Sequence, residues 1–396
     1  MRRVLDGSSK ISFPPPWWKV KREAFRVGRQ IDDFCLRTTG VAAMQLYLRH
    51  VIDPKVVRLE GALALTNRVA IYVIYPAGGL LPSHLIALDY IRQCGYVPVV
   101  VTNLKLPTEA ERDILERSAA LITRPNFGYD FGGYRDGVRF ILPHVNQIDH
   151  LAFFNDSTWF PLNPDRDWLK EAEGLGADYV GSVSHCGMDP DGKWDFRKDP
   201  WVIDPNYRIF HYCSFSILMS GRLVQSPEFA AFWRNYRATD DKPTTIVRGE
   251  IGLSRMVMAS GFSHAATLAS AKLGPLLAEL PEDHLRRIAE EIVIPASAPL
   301  RAEQAAVLAD KATDGPALRN LILRAVVKQG PAYALAPFDI AERTGNFLKK
   351  SPVVLNEASA QATFRFLEAY PSPEARVFLD EAREMYRRKP PQADAA

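Results

Sequence analysis

Three short segments of the 396-residue sequence combine residue types suited to a phosphate-bearing, hydroxyl-rich ligand. The first runs from Arg124 to Gly137 and reads Arg-Pro-Asn-Phe-Gly-Tyr-Asp-Phe-Gly-Gly-Tyr-Arg-Asp-Gly. Gly128, Gly132, Gly133 and Gly137 would let a loop bring its backbone close to a ligand, and a helix from about Gly133 would offer free N–H groups. Arg124 and Arg135 carry guanidinium groups that suit phosphate oxygens. The aromatic rings between them, Tyr129 included, can stack on a base, and Asp130 can accept a hydrogen bond from a ribose or sugar hydroxyl. Asn126 and Asp136 complete this candidate donor-binding set. The segment is neither a GxGxxG fingerprint nor a Walker loop. Its bland alternative is a tight aromatic loop whose glycines serve packing.

The second segment, Phe153-Phe154-Asn155-Asp156-Ser157-Thr158-Trp159, delivers an amide, a carboxylate and a hydroxyl at the end of an apolar strand. Hard divalent cations such as Mg²⁺ take oxygen ligands, commonly one or two carboxylates plus substrate phosphates. Asp156 is the candidate metal ligand, with Asn155 and Ser157 as weaker oxygen donors or phosphate contacts. An Asx-turn or helix cap would use the same three residues. The third segment is Arg248-Gly249-Glu250-Ile251-Gly252-Leu253-Ser254-Arg255-Met256-Val257. Read as a helix, it puts Glu250, Leu253 and Val257 on one apolar face. A carboxylate there, partly desolvated, would make a better general base. The alternative is a buried glutamate paired with an arginine such as Arg248.

His185, His211 and His264 lie beside expected strands and read as structural histidines. Neither a Ser-His-Asp arrangement nor an HExxH spacing is present, so hydrolases of those types gain no support. Cys35, Cys94, Cys186 and Cys213 are scattered singly, which suggests neither a zinc cage nor a disulfide framework. A net charge of +3 does not call for nucleic acid as a partner. No signal-peptide core and no run of roughly 20 apolar residues is seen, and the expected setting is cytoplasmic. One segment points to a surface: Phe13-Pro14-Pro15-Pro16-Trp17-Trp18 precedes Lys19, Lys21, Arg22, Arg26 and Arg29. Tryptophans beside a basic cluster suit an anionic membrane interface, peripheral at the inner face; the alternative, since short basic arms are common, is a basic, partly disordered arm packing its tryptophans on the main domain.

The elements that must position these groups follow from strand and helix signals. Val69–Tyr75, Tyr96–Thr102, Leu121–Thr123 and Leu151–Phe154 read as strands. Helices are expected around Leu85–Ile91, over Glu109–Ala120 and from Gly133 to Leu142. This alternation argues for an α/β fold, a Rossmann-like, mostly parallel sheet with helices on both faces, binding ligand at the carboxyl ends of its strands. Asp178–Ser184 and Tyr212–Met219 read as further strands, Pro227–Tyr236 as a helix, and the chain beyond Leu273 as a helical C-terminal region. The expected boundaries are a basic and aromatic extension over 1–66, the α/β domain over 67–270, helices over 271–388 and a frayed tail over 389–396.

On these segments the chain resembles the rhamnan synthesis protein F family, which is associated with bacterial rhamnose-containing polysaccharides and lipopolysaccharide. The likeness is carried by Asn126–Gly137, Asn155-Asp156-Ser157 and the stretch from Ser214-Phe215 to Gly221, within roughly residues 68 to 268. The same block looks like a GT-A glycosyltransferase domain. Such domains carry an Asp-x-Asp motif at the position of Asn155-Asp156-Ser157 and an acidic catalytic residue where Gly249-Glu250 stands. The resemblance therefore implies transfer of a sugar, such as rhamnose, from a nucleotide-diphosphate donor to a lipid-linked glycan, with Glu250 as base and Mg²⁺ or Mn²⁺ at Asp156. Of the two carboxylates that the motif would supply, this sequence has neither, Asn155 and Ser157 standing in their places. A catalytically degenerate domain that binds a glycan or a partner enzyme is the rival implication.

Overall fold

Six consecutive buried residues, Val69 to Ile74, explain the centre of the molecule. The strand Arg68–Ile74 (β2) is buried along nearly its whole length, with Ile71 and Val73 pointing to one face and Ala70, Tyr72 and Ile74 to the other. Such a strand needs cover on both sides, and the chain provides it. In a computed structural model of the protein, residues 40–295, 297–334 and 345–388 are described.

These residues contain ten strands, numbered in chain order: β1 (Val57–Glu60), β2, β3 (Val97–Thr102), β4 (Ala120–Thr123), β5 (His150–Asn155), β6 (Thr158–Trp159), β7 (Tyr179–Val183), β8 (Ser216–Ser220), β9 (His264–Leu268) and β10 (Leu348–Lys349). Eight of them form one mixed sheet in the order β1-β4-β3-β2-β5-β8-β7-β9. Strands β4, β3, β2 and β5 run parallel, β8 is antiparallel to β5 and to β7, and β9 is parallel to β7. The short ribbon of β6 and β10 stands apart from the sheet.

On one face lies the helix Tyr129–Ile141, whose Tyr134 stacks on Phe153 of β5 at 4.4 Å between centroids. On the other lies the helix Pro82–Gln93, which sends Ala87, Leu88 and Ile91 into the same core as Tyr72, Phe154 and Trp168. The C-terminal region is helical, as expected, from Leu273 onward: its longest members are Gly315–Gln329, Glu357–Ala369 and Pro373–Arg388. It is no independent layer, because Leu318, Leu321 and Ile322 join the core beneath β2. Glu381 likewise accepts hydrogen bonds from Ser83 N and Trp159 Nε1, both at 2.9 Å.

Two compact units are distinguished, Met1–Pro54 and Lys55–Ala396. The described part of the first is the helix Gly40–Tyr47 and its continuation through Leu48–Ile52. Residues 57–60, placed by sequence in the N-terminal extension, instead pair with β4 as an antiparallel edge of the sheet. The Trp17-Trp18 arm, its basic cluster, Cys35 and the tail 389–396 lie outside the described residues.

One expected boundary moves in a way that matters for function. The helix expected from Gly133 begins at Tyr129, so Gly132, Gly133 and Gly137 lie within it. A Cβ at Gly133 would come within 2.7 Å of Val73 Cγ1, and one at Gly137 within 2.6 Å of Ile71 Cγ2. These glycines let the helix settle directly on β2. Gly128, with φ of 84°, turns the chain into it.

Candidate active site

A cleft of about 490 Å³ opens beyond the carboxyl end of β5. Its wall includes four of the residues singled out from sequence: Tyr129, Asp130, Ser157 and Glu250. They arrive on separate elements, namely the first turn of the helix Tyr129–Ile141, the turn after β5, and the segment Val247–Ile251.

Glu250 is the best-defended carboxylate of the cleft. It sits in a single π-helical turn, Val247–Ile251, between the helices Lys242–Ile246 and Gly252–Ala259. Insertions of this kind are frequent at functional sites because they re-aim a side chain. Leu253 and Val257 are buried as the periodicity predicts, while Glu250 itself is about a quarter exposed. Gly249 makes this placement possible: a Cβ there would lie 2.5 Å from Phe131 Cγ. Glu250 Oε1 accepts a hydrogen bond from the hydroxyl of Ser214, and Oε2 faces His211 Nε2 at 3.5 Å. Ser214, and not Arg248, holds the carboxylate, with His211 beside it.

Asn155 takes part in the same arrangement from behind. Its Nδ2 donates to Tyr134 Oη at 3.1 Å, and that hydroxyl donates to the carbonyl of Ser214 at 2.7 Å. A buried relay thus runs from Asn155 through Tyr134 and Ser214 to Glu250. Asn155 is a brace within the protein rather than a ligand at the cleft surface.

Asp130, half-buried beside the cleft, titrates far from its ordinary range. Burial first, and the charge of Asp156 second, push it up to about 7, against the opposing pull of Lys349. Near neutral pH it therefore exists in both protonation states, which suits a group that exchanges hydrogen bonds with sugar hydroxyls. Cys213, also in the wall, is pushed up to about 12 by burial and by Glu250, and stays a thiol. His185 is lowered to about 4, by burial and then by His211; its Nδ1 accepts from Gly187 N, and its ring stacks on Tyr207. His264 bonds Tyr212 away from Glu250.

Asp156 is turned away from the cleft wall. Its Oδ2 accepts from Tyr75 N at 2.7 Å and lies 3.3 Å from Nε2 of the buried His84, whose Nδ1 accepts from Leu81 N. Burial alone would push this carboxyl up. The hydrogen bond to His84 and the charge of Lys350 outweigh it, and the group stays below the usual aspartate range. Ser157 Oγ donates to Asn155 Oδ1 at 2.5 Å and accepts from Lys349 Nζ at 3.0 Å.

This donor set does not fit a divalent cation. One carboxylate is present, with one oxygen engaged; the amide oxygen and the hydroxyl bond each other; and lysine charges flank the turn. Among the described residues, no group of three or more His, Cys, Asp or Glu side chains is placed to hold a metal.

The remaining expected donor-binding residues are placed elsewhere. Arg124 is buried, with Nε on Asp136 at 2.7 Å and Nη1 on Asn103 at 2.9 Å. Arg135 is buried against the same Asp136 at 2.9 Å. Two arginines sharing one aspartate stitch the helix Tyr129–Ile141 to the end of β4, and neither lines the cleft. A Cβ at Gly132 would strike Phe127 O at 2.5 Å, Gly133 faces β2, and Asn126 is exposed on the approach to the helix. Gly128 donates its N–H to Asp240 Oδ1 at 2.9 Å. The phosphate-reaching role expected of Arg124 and Arg135 is thus corrected by their burial, and the ligand-approach role of Gly132 and Gly133 by their packing.

Sequence reasoning passed over Lys349, Lys242 and His211 as parts of the wall. The only local signal for Lys349 was a Lys-Lys-Ser-Pro stretch inside a region read as helical.

The profile of the rhamnan synthesis protein F family matches residues 98–297, half of the chain. The chain belongs to that family. The matched region holds every sequence-derived site residue and ends before the C-terminal helices that support β10. Among curated relatives of this rhamnan synthesis F chain is the uncharacterized protein y4gN of Sinorhizobium fredii, 30% identical over 246 residues. That match covers 62% of this chain and 59% of the relative, so the chain spans somewhat over half of the relative's length. Among solved structures, core-mannan synthase A from Aspergillus fumigatus, in an Mn/GDP form, is similar at 11% identity and a TM-score of 0.30. It covers 50% of this chain and 72% of its own. S. aureus TarS 1-349 is similar at 11% identity and a TM-score of 0.27, covering 81% and 91%.

Proposed function

We propose that this member of the rhamnan synthesis protein F family is a glycosyltransferase of bacterial surface polysaccharide assembly, with rhamnose on a nucleoside diphosphate as its donor. Family membership supports sugar transfer in general. The observation that carries the catalytic reading is Glu250, a carboxylate on the wall of the cleft with one oxygen oriented by Ser214 and the other facing His211 Nε2. In the proposed step an acceptor hydroxyl attacks the anomeric carbon, the new C–O bond forms as the bond to the diphosphate oxygen breaks, and the proton passes to Glu250. His211 is suited to receive that proton onward. Its Nδ1 lies 2.7 Å from the carbonyl of Ile209 and must carry hydrogen, leaving Nε2 to face the carboxyl. Asp130 and Tyr129 border the space for the sugar, and the diphosphate lies toward Ser157.

The acceptor in this reading is a lipid-linked glycan at the cytoplasmic membrane face, approached through the Trp17-Trp18 basic arm. No helix among the described residues is long and apolar enough to cross a membrane, which is compatible with docking by such an arm. A second reading is favoured by one observation, that Asn155, Asp156 and Ser157 are engaged within the protein. It holds the domain to be a non-catalytic glycan or partner binder.

Thermal-shift screening of nucleotide sugars, with and without Mg²⁺ or Mn²⁺, followed by a transfer assay on a lipid-linked acceptor, separates the two. A ligand that binds only the folded state raises its melting temperature. A dTDP-sugar that stabilises the protein and is consumed supports the enzyme; glycan binding with no donor binding supports the binder.

A further inference from the structure

Strand β10 reaches the cleft from the far C-terminal side of the sequence. Its two residues pair antiparallel with β6, Leu348 opposite Trp159 and Lys349 opposite Thr158, directly after the Asn155-Asp156-Ser157 turn. Lys349 then lays its ammonium 4.6 Å from the centroid of the Phe215 ring and 3.0 Å from Ser157 Oγ, in the wall of the cleft. Among the described residues no carboxylate lies within ion-pair distance of it. Half-buried ammonium groups ordinarily acquire a counter-ion, because desolvating an unpaired charge is costly. Lys349 has three N–H donors, and one hydroxyl with one ring leaves capacity for an anion.

The carboxylates of the cleft lie on other elements, Asp130 and Glu250, so the cation and the base are carried on separate parts of the wall. Lys242 is a second wall lysine without a described ion pair, and unlike Lys349 it is exposed. Meanwhile the turn that would be expected to hold a metal is not built for one. Its single carboxylate is bonded by Tyr75 N and approached by His84, and its hydroxyl already accepts from Lys349. A dication placed there would meet fixed positive charge at contact range, an unfavourable interaction at any protein dielectric.

Building on the sugar-transfer reading, we infer that Lys349, fixed by Ser157 and Phe215, binds the diphosphate of the donor in place of a divalent cation, so that nucleoside diphosphate binding is metal-independent. The ammonium neutralises charge on the departing diphosphate as the anomeric C–O bond breaks, which is electrostatic stabilisation by a preorganised group. It also explains why a chain with Asn155 and Ser157 beside Asp156 need not lose its donor.

Isothermal titration of the full chain with dTDP, UDP and GDP, in EDTA and in excess Mg²⁺ or Mn²⁺, tests the inference. At least one nucleoside diphosphate is expected to bind with the same affinity in both buffers. Lys349→Gln should weaken it by about 10- to 100-fold, the usual worth of a charge-assisted hydrogen bond, and Lys349→Arg should recover most of the loss. Lys349→Met, which keeps the aliphatic stem on Phe215, serves as a second neutral variant, and circular dichroism verifies folding of each. Binding that requires metal, or that is indifferent to both neutral variants, overturns the inference and leaves the sugar-transfer reading standing. Failure of every nucleoside diphosphate in every buffer overturns both.

Discussion

His211 presents Nε2 to Glu250 Oε2 across 3.5 Å, an orientation fixed by the bond between its Nδ1 and the Ile209 carbonyl. Ser214 donates to the other oxygen, so one side of the carboxylate is fixed before any substrate arrives while Oε2 faces a ring nitrogen able to take a proton. Removing its charge while keeping its shape should therefore leave the fold intact. Glu250→Gln is expected to slow sugar transfer by about 10²- to 10⁴-fold, the usual contribution of a general base. Initial rates, compared with melting temperatures of the two proteins, check this; an unchanged rate removes Glu250 from the chemistry.

Asp130 makes stability depend on pH in a defined window. Its folded pKa, raised to about 7 by burial and then by Asp156, exceeds the ordinary value of 3.8. Below about 4 both folded and unfolded chains hold the proton. Between about 4 and 7 the folded chain keeps a proton that the unfolded chain has released, so this contribution to stability declines as pH rises and levels off above 7. Asp130→Asn should abolish that decline. Melting curves across the range for both proteins reveal it as a stability advantage of the variant that grows from pH 4 to 7. Parallel curves assign the pH dependence to other groups.

Asp156 is a joint between two parallel strands as much as a candidate ligand contact. Asp156→Ala deprives Tyr75 N of its acceptor and His84 Nε2 of its carboxylate neighbour. A loss of about 1.5–3 kcal/mol is expected, the usual worth of a hydrogen bond to a charged group. Urea denaturation measures it. Donor binding should weaken together with stability, since the neighbouring Ser157 and Lys349 would lose their fixed frame. Calorimetry that finds wild-type affinity would confine Asp156 to a structural role.

Gly249→Ala tests how tightly Glu250 is placed. The added methyl would sit 2.5 to 2.7 Å from three carbons of the Phe131 ring, which is itself stacked on Trp233 at 6.1 Å. With no flexible end to yield, overpacking should cost about 1–3 kcal/mol. Transfer should fall beyond what lost stability explains, because the π-turn must shift. A variant that melts and transfers like the wild type would show that the Phe131 ring yields after all.

The sequence was readable wherever a local pattern has one cause. Strands β2, β3 and β5 are runs of β-branched and aromatic residues with both faces buried, and they fall within a residue or two of expectation. The glycine block was harder, because close approach to a ligand and close approach of a helix to a strand make the same demand. Val73 and Ile71, some sixty residues earlier, decide for packing. Arginines suited to phosphate are equally suited to a buried aspartate, and Asp136 claims both. Glu250 was found because its helical spacing survives an inserted π-turn. Lys349 could not be found: its partner Ser157 is 192 positions away, and no periodicity links a two-residue strand to a turn in another half of the chain.

That late strand imposes an order on the birth of the protein. During synthesis the sheet, Asp130 and Glu250 all leave the ribosome well before residues 348 and 349, so the nascent chain can carry its acidic wall for some time with the opposing ammonium still absent. If Lys349 binds the donor as proposed, competence arrives only when β10 closes on β6, and a transcript cut short before that point would leave the cleft without that wall.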